Sequence, residues 1–292
     1  MLDYLLVLLS VALLAGAFII QKFYQKSSDG STESSTVFTM VSACCSIIFL
    51  IATNGFKFEF TWYSLINSIL KAGCGFLYSL IGFQILKRSN VATYMLFLMS
   101  GGMVVPAVWG FIRGGEPITA QRVLGIAIIL IAIVLSNSSV KKLDKKLLVM
   151  CVSVFILNGF VSVFSKEHQT YTNFPIVSTT AYALIGTVCS LVMSSSLKIA
   201  IAIKDKKEKK HKPKIKWYCI LLIVLYSVVG TISNLLQLKG AVNLPASVLY
   251  PLITGGTIVF SGIFALIFFK EKPTVKEWIG IALCVVGTCL FL

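Results

Sequence analysis

The chain has 292 residues, of which 57% are hydrophobic and 13% charged. Soluble domains run nearer about 45–50% apolar and about 25% charged, because their exteriors must be polar, so this composition excludes a chain built mainly of soluble domains. The net charge of +15 does not indicate nucleic acid, since Lys and Arg sit in short segments between apolar runs, where an anionic leaflet is the natural partner, and no separate basic domain exists.

A membrane-spanning helix needs about 20 mostly apolar residues. Ten stretches qualify: 3–21, 35–53, 62–86, 90–112, 118–137, 146–165, 176–203, 217–238, 242–269 and 274–292. The first reads as a retained span rather than a cleaved signal. It starts with Asp3, its basic residues Lys22 and Lys26 follow the apolar run, and no A-x-A-like site comes after. Lys87-Arg88-Ser89 makes a tight hairpin of the third and fourth spans, and Lys239-Gly240 one of the eighth and ninth. The stretch 176–203 is long enough to tilt or to leave the bilayer. The fold class is therefore an all-α integral membrane protein with ten transmembrane helices.

The connections carry orientation. Odd-numbered ones hold Lys22, Lys26, Lys87, Arg88, Lys141, Lys142, Lys145, Lys146, the eight lysines from Lys204 to Lys216, Lys270, Lys272 and Lys276. Even-numbered ones hold only Lys57, Arg113, Arg122, Lys166 and Lys239. The excess of positive charge stays inside, so the odd connections are expected in the cytoplasm of a plasma-membrane protein, with both termini outside. The Lys204–Lys216 segment reads first as a topology-setting loop, and second as a surface for anionic lipid.

A repeat organises the chain. Residues 116–125 read EPITAQRVLG and residues 271–280 read EKPTVKEWIG. Each runs from a Glu (Glu116, Glu271) through eight residues to a Gly (Gly125, Gly280), before the last apolar run of its half. Tyr94 to Gly101-Gly102 is echoed by Tyr250 to Gly255-Gly256, and Gly16 to Lys22 by Gly159 to Lys166. This divides the chain into an N-terminal five-helix repeat over 1–137, a basic connection over 138–145 and a C-terminal five-helix repeat over 146–292. Five helices per unit is an odd number, so the second unit is expected upside-down relative to the first. Inverted repeats are a common plan of secondary transporters.

With this helix count and the doubled Glu-x8-Gly, the whole chain resembles the drug/metabolite transporter superfamily, in particular its EamA-type members. The resemblance implies a central cavity lined by helices 1, 3, 4, 6, 8 and 9, peripheral helices 5 and 10, and transport of metabolites such as amino acids. It also implies cytoplasmic termini, against the charge distribution above.

The remaining chemistry is sparse. No phosphate-binding GxxxxGK[ST] loop is present. The two histidines, His168 and His211, read as loop residues, and neither they nor the eight dispersed cysteines form a metal or nucleophile pattern. No enzyme activity, cofactor or metal is expected. None of the eleven acidic residues falls in mid-span, which disfavours antiport of organic cations through a buried carboxylate. Lys71 is the exception among charges. It lies about nine residues after Trp62, roughly 13 Å into the third span. A charge there costs at least about 2.5–3.5 kcal/mol, so it is expected to face a polar cavity and an anionic group of the substrate. Other cavity candidates are Asn67, Tyr78, Tyr94, Trp109, Asn158, Ser162, Tyr226, Asn234, Gln237 and Tyr250. Glu116 and Glu271 read as structural, each at the start of its own following helix, where a carboxylate favours the N-terminal dipole. The leading expectation is a transporter of a small anionic or zwitterionic metabolite, as monomer or homodimer. A lipid-linked carrier or flippase and a non-transporting scaffold are the alternatives.

Overall fold

The computed structural model describes residues 2–28, 32–88, 91–113, 115–136, 144–171, 173–208, 217–270 and 275–291. Among them the chain forms ten helices: α1 Leu2–Ser27, α2 Thr32–Thr53, α3 Trp62–Arg88, α4 Val91–Ile112, α5 Ala120–Ser136, α6 Lys145–Thr170, α7 Thr179–Glu208, α8 Trp217–Asn243, α9 Ala246–Phe269 and α10 Val275–Cys289. Eight are long and apolar enough to cross a membrane, and α5 and α10 are shorter apolar helices. The helix shafts expose large apolar side chains, including Leu9, Ile48, Ile131, Val192, Leu225 and Ile263. Such a surface suits hydrocarbon, in which every backbone polar group must be satisfied within its own helix.

α1 packs on α8 and α9, α6 on α3 and α4, α2 on α7 and α8, α3 on α7, α4 on α9, and α5 on α10. Exchanging each helix of α1–α5 with the one five places later carries every one of these pairs onto another of them or onto itself. Small residues permit the tightest crossings. A Cβ on Gly101 of α4 would lie 2.1 Å from the carbonyl oxygen of Phe155 on α6. A Cβ on Gly125 of α5 would strike the Phe291 ring at 2.5 Å, just past α10. Buried Val7, Val11, Met103, Ile129, Leu249 and Leu252 form the largest apolar core, joining α1, α4, α5 and α9.

Three expectations about helix limits change. α6 does not end near residue 165 but runs to Thr170, so Lys166 and His168 are helical rather than loop residues. α8 continues through Lys239 and Gly240 to Asn243, and the turn into α9 is Leu244-Pro245. Gly240 serves packing instead, since a Cβ there would sit 2.6 Å from Val7. α7 carries on to Glu208, so the Lys-rich segment begins as helix. His211, Glu271 and residues 209–216 lie outside the described residues.

Candidate functional site

α3 turns Ser64, Asn67 and Ser68 inward, all buried. At 100° per residue Lys71 shares that face. It nevertheless keeps part of its surface accessible, and its ammonium stands 5.0 Å from the centre of the Tyr182 ring on α7. Ammonium over phenol is a favourable contact, yet it leaves the charge unneutralised. No carboxylate lies against Lys71 among the described residues. A comparable opening shows on α8. Asn234 lies on the face of buried Ile223, Ser227 and Leu238 but is exposed, and a Cβ on Gly230, one turn earlier, would meet no atom within 4 Å.

Beneath Lys71 is a polar network that the sequence did not reveal. The Tyr182 hydroxyl donates to Asn67 Oδ1 at 2.7 Å. The His168 ring of α6 stacks on Tyr182 with centroids 3.7 Å apart. His168 Nε2 is hydrogen-bonded to Ser64 Oγ at 2.8 Å, and Nδ1 to the Gln169 amide at 3.1 Å. Gln169 in turn accepts from Thr179 Oγ1 at 3.0 Å. Ser64 also accepts from the Val177 amide and the Thr61 hydroxyl. These bonds tie α3, α6 and the start of α7 at one level, with His168 fully buried. A buried polar group is tolerated when its partners are complete, and here they are. Lys166-Glu167-His168-Gln169 reads as polar loop only because hydropathy cannot see partners on other helices.

The other candidates divide. Tyr78 lies within electrostatic reach of both Tyr94 and Tyr226, and Tyr182 within reach of Tyr250, so phenols from five helices, α3, α4, α7, α8 and α9, gather into two groups. The Tyr250 hydroxyl donates to the Ser162 carbonyl of α6, and the Tyr226 ring packs on Phe38, centroids 4.7 Å apart. The Tyr94 ring covers Gly82. Asn158 is held by packing, donating to the Leu98 carbonyl of α4 at 2.7 Å. Gln237 donates to Ser233 Oγ at 3.0 Å.

Trp109 belongs to a separate cluster at the end of α4. Its indole N–H donates to Glu167 Oε1 at 2.7 Å, and Arg113 stacks over its ring. With Glu116, Lys166, Thr170, Leu244 and Pro245 it lines a cleft of about 270 Å³. Glu116 is expected at the start of its own following helix, but it caps a different one. Its carboxylate accepts from the Ala246 and Ser247 amides at the start of α9, and from the Ser247 hydroxyl. Its own α5 begins only at Ala120.

Ten helices with an apolar outside and polar side chains turned inward define a multi-pass membrane protein. The model of the EamA-like transporter family matches residues 145–292. The chain belongs to the EamA-like transporter family, and it is a membrane transporter of the drug/metabolite transporter superfamily rather than a member of an enzyme family. A solved crystal structure with 17% sequence identity aligns over 99% of this chain and 94% of its own, with a TM-score of 0.72. It is similar in fold. No curated protein matches.

Proposed function

We propose that the chain is a plasma-membrane secondary transporter for a small anionic or zwitterionic metabolite of amino-acid size. The observation that carries this reading is Lys71, an ammonium on the inward face of α3 with an aromatic ring beneath it and, among the described residues, no carboxylate against it. A cation held at mid-span without a counter-ion costs at least about 2.5–3.5 kcal/mol. A substrate carboxylate or phosphate supplies what is missing, and the phenols of Tyr78 and Tyr226 offer hydrogen bonds to orient it.

The units 1–137 and 146–292 form an inverted repeat in this reading, and rocking one against the other exposes Lys71 to each side in turn. The match of helix contacts under exchange of halves supports it. The Lys-rich odd connections face the cytoplasm, and the Lys204–Lys216 segment meets anionic lipid there.

The test has two stages. A metabolite screen of cells with and without the protein names candidate substrates, and flux into proteoliposomes measures them. Lys71→Met is expected to abolish flux of an anionic or zwitterionic substrate while leaving expression intact, and Lys71→Arg to retain part of it. Full flux through Lys71→Met removes the proposal.

A further inference from the structure

Pro245 breaks the backbone between α8 and α9 in two ways. It has no N–H, so the Ala241 carbonyl four residues earlier lacks its helical donor. It also stands at the N-cap of α9 with no side-chain cap, so the first amides of α9 need an outside acceptor. Both deficits are met by ions from elsewhere in the chain. The Lys166 ammonium of α6 donates to Ala241 O at 2.7 Å and to Leu244 O at 2.6 Å. The Glu116 carboxylate, from the α4–α5 connection, takes the Ala246 and Ser247 amides. Glu116 is itself seated by its amide on the Gly110 carbonyl at 3.1 Å. A Cβ on Gly110 would come within 2.7 Å of that carboxylate, so the glycine makes room for it.

We infer that this clasp is the gate that closes the transport pathway at the end where α4, α6 and α8 finish and α9 begins. It rests on the transport reading but on none of its substrate chemistry. Two features suit a gate rather than a permanent tie. The ions hold peptide groups at helix ends, which water can also satisfy once the clasp opens. The clasp also lies one helical turn from the central region on both helices it joins. Tyr250 follows Pro245 on α9 and is bonded to Ser162, a turn before Lys166 on α6. Freeing the start of α9 therefore moves a phenol that ties α9 to α6. Lys166 and Glu116 are positioning residues here, acting through α8 and α9.

The test is side-specific labelling of Asn234→Cys by a membrane-impermeant maleimide, above the background of the parent with its native cysteines. Right-side-out and inverted vesicles report the two faces. Glu116→Ala and Lys166→Met are each expected to speed labelling from the clasp side at least about tenfold and to slow it from the other. Tenfold is what a single charge-assisted hydrogen bond favouring the closed state supplies, so it is a lower bound for variants that remove two or three. Lys166→Arg keeps both carbonyl bonds and should label like the parent. Unchanged labelling, or an equal rise from both faces, overturns the gate. Should one variant fail to fold, the other carries the test, and because no substrate is used, failure here is distinct from failure of the substrate assignment.

Discussion

The imidazole of His168 lies against the phenol of Tyr182 with ring centroids 3.7 Å apart and planes 15° from parallel. Lys71 stands 5.0 Å from the same phenol. Tyr182 is thus held from α6 while it presents its ring to α3, and the position of the free ammonium depends on a histidine that never touches it.

This separates the two parts of the tyrosine. Tyr182→Phe keeps the ring and loses the bond to Asn67, at a cost of about 1 kcal/mol in stability. Tyr182→Leu also removes the π-face under Lys71. Flux is expected to survive the first change and to fall severalfold in the second. Equal flux in the two variants would show that the ring does not matter.

His168→Leu leaves Ser64 and Gln169 facing an apolar side chain, and each buried group stripped of its partner costs about 1–3 kcal/mol. A clear drop in the detergent unfolding midpoint is expected. A midpoint equal to the parent's would mean that the network contributes nothing to holding α3, α6 and α7 together.

Gly101→Ala drives a methyl into the Phe155 backbone, which cannot give way as a flexible side chain would, and overpacking of this kind costs about 1–3 kcal/mol. Gly186→Ala meets nothing within 4 Å and should stay within about 0.5 kcal/mol of the parent. Thermal unfolding of both variants, side by side, checks the contrast.

Orientation can be read from reporter fusions. The charge asymmetry predicts an external C-terminus and a cytoplasmic Lys204–Lys216 segment. At one end of the molecule the ammoniums of Lys22 and Lys26 both approach the Phe269 ring, at 4.5 and 4.3 Å. At the other, Asn243 donates to Asp3 at 3.1 Å. A C-terminal reporter active only in the cytoplasm would reverse the assignment of both ends.

The repeat makes Glu271 the counterpart of Glu116. If the halves exchange roles, Glu271→Ala should bias the labelled cysteine toward the face opposite to the one favoured by Glu116→Ala. The same bias from both substitutions would end the idea of reciprocal gates.

The ten apolar runs were legible because a bilayer imposes length and hydropathy on each span separately. Lys71 was legible as a charge too deep for its surroundings. The chain's long-range partnerships were not. Hydropathy ended the sixth span before Lys166, whereas the helix extends to Thr170 because α3, α4, α7 and α8 supply partners for its polar turn. A dipole argument kept Glu116 on the helix that follows it, while the amides it caps lie 130 residues away in sequence. Tyr182 sits in an apolar run with nothing local to mark it.

The pairing of α1 with α8 and α9, and of α2 with α7 and α8, bears on how the protein is made. The first two helices enter the bilayer while the helices they pack against are still unsynthesised. Ser233, which will donate to the Ser10 carbonyl, and Thr231, which will bond Ser46, arrive more than 180 residues after their partners. Until then the early helices can only lodge in lipid as separate segments, with their polar sides unmatched and open to wrong neighbours. Quality control at the insertion site should therefore be most exacting for chains truncated between α5 and α8, and an N-terminal fragment should be degraded unless the missing helices are supplied in trans.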